Sequence, residues 1–389
     1  MITPSFGLTA TERVLPKLAL DFTTASLDSR ITFTRAGNTA TRINSSGYVE
    51  TVAADIPRFD YDPVTLVCKG LLIEESRTNL LNYSQTFGTS GGAQNNWADS
   101  ANLQRVSTTR TSPDNTGNAL EIKANGAANQ TIISTAAAGS SAARSFSVWL
   151  KRVTGTGDIQ YTLDNGSNWT TQAITTSWVR YTFAATTANQ QVGVRITTDG
   201  DVIQIWGAQL EAGAFATSYI PTTTGTAQRN ADVATMTGTN FSSWYNATEG
   251  TLVSYSISNT ANAASTRLGL GVSDGTTSNR IVPVIGSATQ TRALVTNSGV
   301  LQADLYSTVT SPYNTLLKTA IAYKQNNFLA NANAGTTQTD TVGNVPTVTT
   351  GYLGSSEAGT NTFMLNGTLQ KVFYYSQCLT SAEVQAFTK

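Results

Sequence analysis

WGAQLEAGAFATSYIPT, residues 206–222, decides how this chain is read. With the preceding VIQI it forms an apolar run over 202–210, a strand with Val202, Trp206, Ala208 and Leu210 expected on one face. Glu211, Ala212 and Gly213 break that run. Tyr219-Ile220-Pro221 then leads into TTTGT, where Gly225 and its threonines read as a linker. The stretch therefore closes one strand-rich segment, and a second begins soon after it.

Upstream, RSFSVWLK (144–151) alternates Phe146, Val148 and Leu150 with Ser145, Ser147, Trp149 and Lys151, predicting one buried and one mostly polar face. WVRYTFA (178–184) repeats the pattern with Val179, Tyr181 and Phe183, and 191–197 does so with Val192, Val194 and Ile196. Asp164-Asn165-Gly166 and Asp199-Gly200-Asp201 carry hairpin chemistry. Many short strands without a long helix predict an antiparallel sandwich, a jelly roll, over 79–222.

Downstream, TLVSYSIS (251–258), IAYKQNNFL (321–329) and LQKVFYY (369–375) predict further strands, the last with Leu369, Phe373 and Tyr375 on one face. Asp274-Gly275 is a turn. Thr380-Ser381-Ala382-Glu383 fits a capping box, and Leu379 and Val384 fit a hydrophobic staple, so 223–389 is expected to be a sandwich ending in a short helix. Residues 1–78 show little periodicity, and Pro57 and Pro63 keep that part extended. They read as an N-terminal arm that packs on a neighbouring domain or subunit.

Composition narrows the functions. Lys plus Arg and Asp plus Glu both number 24, and only 12% of residues are charged, so no basic excess points to nucleic acid. Hydrophobic residues make up 40% of the chain, enough to fold. There is no histidine, which removes the commonest general base and transition-metal ligand. Two cysteines, Cys68 and Cys378, do not suggest a disulfide framework and fit folding in a reducing cytoplasm. No apolar run approaches the roughly 20 residues of a membrane span. MITPSFGLTATERVLPK lacks a signal-peptide pattern, so export by the standard secretory route is not expected.

These residues carry a resemblance. ITFTRAGNTATRINSSGYVE (31–50), IPRFDYDP (56–63) and GLLIEESRTNLL (70–81) resemble an N-terminal signature of tailed-bacteriophage structural proteins. WGAQLEAGAFATSYIPT with GTAQRNADV (225–233) is similar to a second signature of the same proteins, which closes a carbohydrate-binding-module-like jelly roll. EGTLVSYSIS (249–258), IAYKQNNFLANANAG (321–335) and GTLQKVFYYSQCLTSAEVQAF (367–387) resemble laminin-G/concanavalin-like sandwiches. The resemblance implies a virion component made in the host cytoplasm: a tail fibre or surface adhesin, often a homotrimer, joined to other virion proteins. It does not imply an enzyme. The two signatures are expected to meet, with Leu72 near Tyr219, because domain termini are often neighbours.

Glycan recognition needs flat aromatic rings beside hydrogen-bonding groups. Trp149, Tyr161, Trp169 and Arg180 are the candidates, against the alternative that Trp149 packs under a loop, the arm or another subunit. Trp206 reads as core and Trp244 as the entry to the second sandwich. Asp164, Asn165, Asn168, Asp199 and Asp201 offer oxygens to calcium, but turns need the same residues, so no metal is expected. Gly269, Gly271 and Gly275 miss the dinucleotide fingerprint, and no cofactor is expected. Glu74, Glu75, Glu211 and Asp201 are the carboxylates available for glycoside cleavage, and no spacing pairs them. The expectation is a virion adhesin for host surface polysaccharide, without membrane insertion or nucleic acid. The alternatives are a purely structural decoration or connector protein and a polysaccharide depolymerase.

Overall fold

Strand-forming alternation dominates the fold, which is all-β with antiparallel sheets packed as sandwiches. The structure, a computed structural model, describes residues 15–87, 95–135, 140–188, 191–259, 269–287, 290–307, 309, 314–355 and 364–389, the side chains of 284–287 excepted. The first fourteen residues of the expected arm thus lie outside the described residues. Two compact units are formed, each from separate pieces of chain: Arg35–Val67 with Ser76–Ala231, and the residues up to Thr34 with Cys68–Glu75 and Asp232–Lys389.

In the first of these units, one sheet runs in the order Val179–Thr187, Ala142–Thr154, Val202–Ala212, Ala119–Ala124, Leu103–Arg110. The other runs Thr170–Gln172, Ile159–Thr162, Gly193–Ile196, Gln130–Ser134, Trp97–Asp99. Phe146, Val148 and Leu150 of the first sheet meet Ile132, Ile159, Val194 and Ile196 of the second in one apolar core. Burying each such side chain contributes about 1.5–3 kcal/mol. The expected inward faces of 144–151 and 192–196 are the observed ones, and Tyr181 and Phe183 pack on the core, whereas Val179 at the start of its strand is 37% exposed. Asp164-Asn165-Gly166 joins two paired strands as expected. Asp199-Gly200-Asp201 does not: it joins Gly193–Ile196 to Val202–Ala212, which belong to different sheets. Local turn chemistry is the same for a hairpin and for a crossing between sheets.

Two further expectations fail for one reason, the β-bulge. Ser147 pairs with Gln209 but Trp149 with Trp206, so Gly207 and Ala208 together face Val148. Ile203, Ile205, Ala208 and Leu210 point into the core, and Trp206 is turned away from it, so Ala208 and Leu210 do not share its face. Likewise Tyr255 pairs with Lys371 but Ser256 with Leu369, which leaves Gln370 as an extra residue. Leu369 therefore lies on the face opposite Phe373 and Tyr375. A single inserted residue shifts a period-2 pattern by one face.

Nor is the outer face of Ala142–Thr154 a wet polar one. Ser145 and Ser147 are fully buried and Trp149 is 7% exposed. Residues 35–67, expected as part of an arm, cover this face together with the loop after Ala212. Ile43 and Val49 join Trp149, Trp206 and Tyr219 in a second apolar cluster. Thr41 Oγ1 donates to Tyr219 O at 2.5 Å, and the buried Arg58 donates to Thr41 O at 2.9 Å and Ser218 Oγ at 2.6 Å.

In the other unit, one sheet contains Gln338–Asp340, Asn327–Ala332, Leu316–Lys324, Glu249–Ser258, Gly367–Tyr375 and Cys68–Ile73 in that order. Leu18–Asp21 also pairs with Gly367–Tyr375. The second sheet orders Thr32–Thr34, Val233–Thr237, Thr350–Leu353, Leu270–Ser273, Arg280–Ser287, Gln290–Asn297 and Val300–Ser307. Leu18–Asp21, Thr32–Thr34 and Cys68–Ile73, expected as part of an arm packing on a neighbouring domain or subunit, are therefore strands within these sheets. Their strands are short and find their partners hundreds of residues away, so no local period announces them. The capping box forms on Ser381–Phe387, with Thr380 and Glu383 bonded reciprocally. Leu379 and Val384 pack with Val253, Ala320, Ala322, Leu329 and Tyr375. A second short helix, Thr239–Ser242, had no sequence signal. Trp244 follows it, 3% exposed, and its indole donates to Asn240 O at 2.8 Å.

Gly207 sits at φ +63°, and an added Cβ would lie 2.7 Å from the Trp149 ring. Gly200 has φ +86° with open space around it. Gly207→Ala should therefore destabilise by about 3 kcal/mol and Gly200→Ala by about 1 kcal/mol, a gap checked by urea unfolding.

Candidate functional site

The stretch 206–222 folds back over its own strand. Outer-facing Gln209 accepts from Ile220 N at 2.6 Å, and Glu211, fully buried, accepts from Thr217 N at 2.9 Å and Thr217 Oγ1 at 2.5 Å. Tyr219 closes the loop, its hydroxyl 2.6 Å from Ser84 Oγ, and burial pushes its pKa up. Asn79 is the tie. Its Nδ2 donates to Ile220 O at 2.9 Å and Ala208 O at 3.2 Å, and its Oδ1 accepts from Leu210 N and Leu81 N, both at 3.1 Å. Within GLLIEESRTNLL, Arg77, Asn79 and Leu80 thus meet the second signature, Arg77 over the Phe215 ring and Leu80 N donating to Leu210 O at 2.8 Å. Leu72 and Tyr219 themselves fall in different units.

The four nominated glycan-binding residues do not form one patch. Trp149 is boxed by Trp206 at 5.1 Å, Tyr219 at 5.4 Å and the Arg180 guanidinium at 4.7 Å. Arg180 is spent on Thr217 O and Ser147 Oγ, both at 2.8 Å. Trp149 and Arg180 thus build the interior, as Trp206 does. Tyr161 lies on the opposite sheet and stacks on Phe183 with centroids 3.5 Å apart, packed against the core.

Trp169 is different. It is half-buried on the outer side of the second sheet, where the Arg195 guanidinium stacks on its ring at 4.4 Å. The turn that carries it brings Gly166 against the indole, 3.2 Å from an added Cβ. Register places Thr171, Gln160, Arg195 and Thr131 side by side across four strands. Gln160 Oε1 accepts from Arg195 Nε at 2.7 Å and also from Nη2, while Gln160 Nε2 donates to Thr171 Oγ1 at 3.3 Å. Burial holds the Arg195 pKa below its ordinary value. An aromatic ring, a stacked cation and a row of neutral hydrogen-bonding groups thus share one sheet face. Arg195 and Gln160 were not singled out from sequence. The signal was present, since Val192, Val194 and Ile196 face inward and so direct Arg195 outward.

The same unit holds a cleft of about 280 Å³ lined by Asn38, Thr39, Ala40, Ile220, Pro221, Ala227 and Gln228. No titratable side chain lines it. The candidate carboxylates are otherwise engaged. Asp201 accepts from Arg152 at 3.2 Å and Gly157 N at 2.8 Å, and Glu75 accepts from Asn366 Nδ2 at 2.9 Å. Glu74 and Glu75 belong to one unit, Glu211 and Asp201 to the other. Asp199 accepts from Gly126 N at 2.7 Å. For Asp164, burial would raise the pKa, but bonds from Asn168 and Thr162 outweigh it and hold the carboxyl below its ordinary value. Among the described residues no group of three acidic or cysteine side chains is placed to hold a metal.

Trp149→Ala should cost about 4 kcal/mol by urea unfolding, the range for a buried aromatic. Trp169→Ala should cost about 1 kcal/mol, because it loses mainly a stacked cation and partial burial. Similar costs for the two would contradict this placement.

No protein-family model matches the chain, and no curated protein matches it. Among solved structures it is similar to the Ruminococcus gnavus IT-sialidase CBM40 bound to α2,3-sialyllactose, at 17% identity and TM-score 0.32, over 36% of this chain and 83% of that one. It is also similar to the NanB sialidase of Streptococcus pneumoniae, at 9% identity and TM-score 0.33, over 40% of this chain and 26% of that one. A leech intramolecular trans-sialidase is similar at 16% identity and TM-score 0.31, over 36% of this chain and 23% of that one. The chain spans about a quarter of each of these two sialidases.

Proposed function

We propose that this is a non-enzymatic bacteriophage virion protein, a tail fibre or surface adhesin that binds host cell-surface glycans. The observation that carries glycan binding is the Trp169–Arg195–Gln160 face. A half-buried indole offers an apolar plane to sugar C–H groups, and Gln160, Thr171 and Thr131 offer hydrogen bonds beside it. β-strands carry Gln160, Thr171, Thr131 and Arg195, and the stacked Arg195 guanidinium packs on the turn-borne Trp169, so the face is ordered before a ligand arrives. The phage assignment rests on the two sequence signatures, and with it go a homotrimer and attachment to other virion proteins.

One observation favours the alternative of a purely structural connector. Val64, Leu66 and Val67 project apolar side chains in and just after one turn, Val64 being 86% exposed. Exposed apolar residues grouped in one turn are a common mark of a protein contact. An adhesin also needs such a contact, so this feature does not separate the two readings.

A host-polysaccharide array probed with the purified oligomer tests the proposal. Retention on at least one polysaccharide is expected, with a roughly tenfold loss in Trp169→Ala, the upper end for a stacked aromatic contact. No retention on any host polysaccharide would leave the connector reading standing. Incubation with a bound polysaccharide should leave its chain length unchanged; shortening would establish a depolymerase instead.

A further inference from the structure

We propose that Arg195 is an anion-binding subsite, so that the preferred glycans carry negatively charged substituents, carboxylate or sulfate. This deepens the glycan-binding reading and rests on it. Arg30, Arg42, Arg105, Arg110, Arg152 and Arg292 each meet a carboxylate within 3.2 Å. Arg195 meets none among the described residues. Its row neighbours, Gln160, Thr131 and Thr171, are all neutral. The acid in the adjoining turn, Asp164, is occupied by Thr162 Oγ1 at 2.8 Å and by Asn168 N and Nδ2 at 2.9 and 2.6 Å.

A partly buried cation without a counter-charge is costly, and folding normally supplies a partner. Here the fold instead fixes the orientation of the guanidinium. Gln160 Oε1 takes Nε and Nη2, and Trp169 covers one face. Nη1 makes no protein hydrogen bond among the described residues and stays open on the sheet surface. A planar, pre-oriented guanidinium with a free N–H edge suits an oxyanion. The indole, meanwhile, lowers the local dielectric that would otherwise screen it. A sugar ring stacked beside Trp169 brings an equatorial carboxylate or sulfate to that edge.

The test measures binding of the full-length protein to four probes: polygalacturonate, the same polymer with its carboxyls reduced to alcohols, dextran sulfate and neutral dextran. Polygalacturonate or dextran sulfate should bind, and whichever binds identifies the substituent. Arg195→Gln should weaken that binding roughly tenfold, the scale of one charge-assisted contact, and weaken the reduced polymer's binding by a clearly smaller factor. Arg195→Lys should recover only part of the loss, because it lacks the planar fork. If the reduced polymer or neutral dextran binds as tightly as the acidic ones, and only Trp169→Ala abolishes binding, the anion subsite is wrong and the glycan platform survives. If folded protein binds neither polygalacturonate nor dextran sulfate, the anion subsite is wrong, and retention on the host-polysaccharide array decides the glycan platform separately.

Discussion

A single backbone position, Gly207, sets the interior of one sandwich. Its positive φ admits an extra residue into the Val202–Ala212 strand, and the missing Cβ lets Trp149 lie against the chain there. The bulge reverses which side chains face inward. Ile203 and Ile205 before it, and Ala208 and Leu210 after it, all reach the same core, although their spacing denies it. The residues left on the other side are Gln204, Trp206, Gln209 and Glu211. Trp206 can then join Trp149 and Tyr219, while Gln209 and Glu211 hold the exit loop by its backbone.

This arrangement explains how a sheet with serines on its outer side can be buried on both faces. Every buried polar group needs a partner, since leaving one unmet costs about 1–3 kcal/mol. Ser145 finds Phe215 O at 2.8 Å, Asn79 serves four backbone groups, and Arg58 serves Thr41 and Ser218. The segment 35–67 supplies much of that cover. The central strands of the first sheet are thereby withdrawn from solvent, and Trp149 and Arg180 with them. The second sheet keeps an open outer face, and there Arg195 and Trp169 remain in reach of a ligand.

Glu211 makes the same point about chemistry. A buried carboxylate in a protein without histidine invites a catalytic reading. Its two oxygens are nevertheless filled by the amide and hydroxyl of one threonine six residues on, which makes it a loop clamp. Asp201 is likewise committed to Arg152 and Gly157. Charge is scarce in this chain, and most of what is buried is structural. Arg195 stands out against that background.

The sequence by itself determined the all-β class, the inward faces of 146–150, 181–183 and 192–196, and the capped final helix with its staple. Each of these follows from spacing within a dozen residues, which is the range over which side-chain period and capping chemistry act. Only the tertiary structure decided the rest. Bulges at Gly207 and Gln370 reversed the phase of two strands. Leu18–Asp21 and Cys68–Ile73 found their partner more than 290 residues away at Gly367–Tyr375. Four aromatic and basic candidates were sorted into three that pack and one that faces outward. The physical reason is common to all three: which face of a strand meets water depends on what covers it, and the covering segments come from elsewhere in the chain.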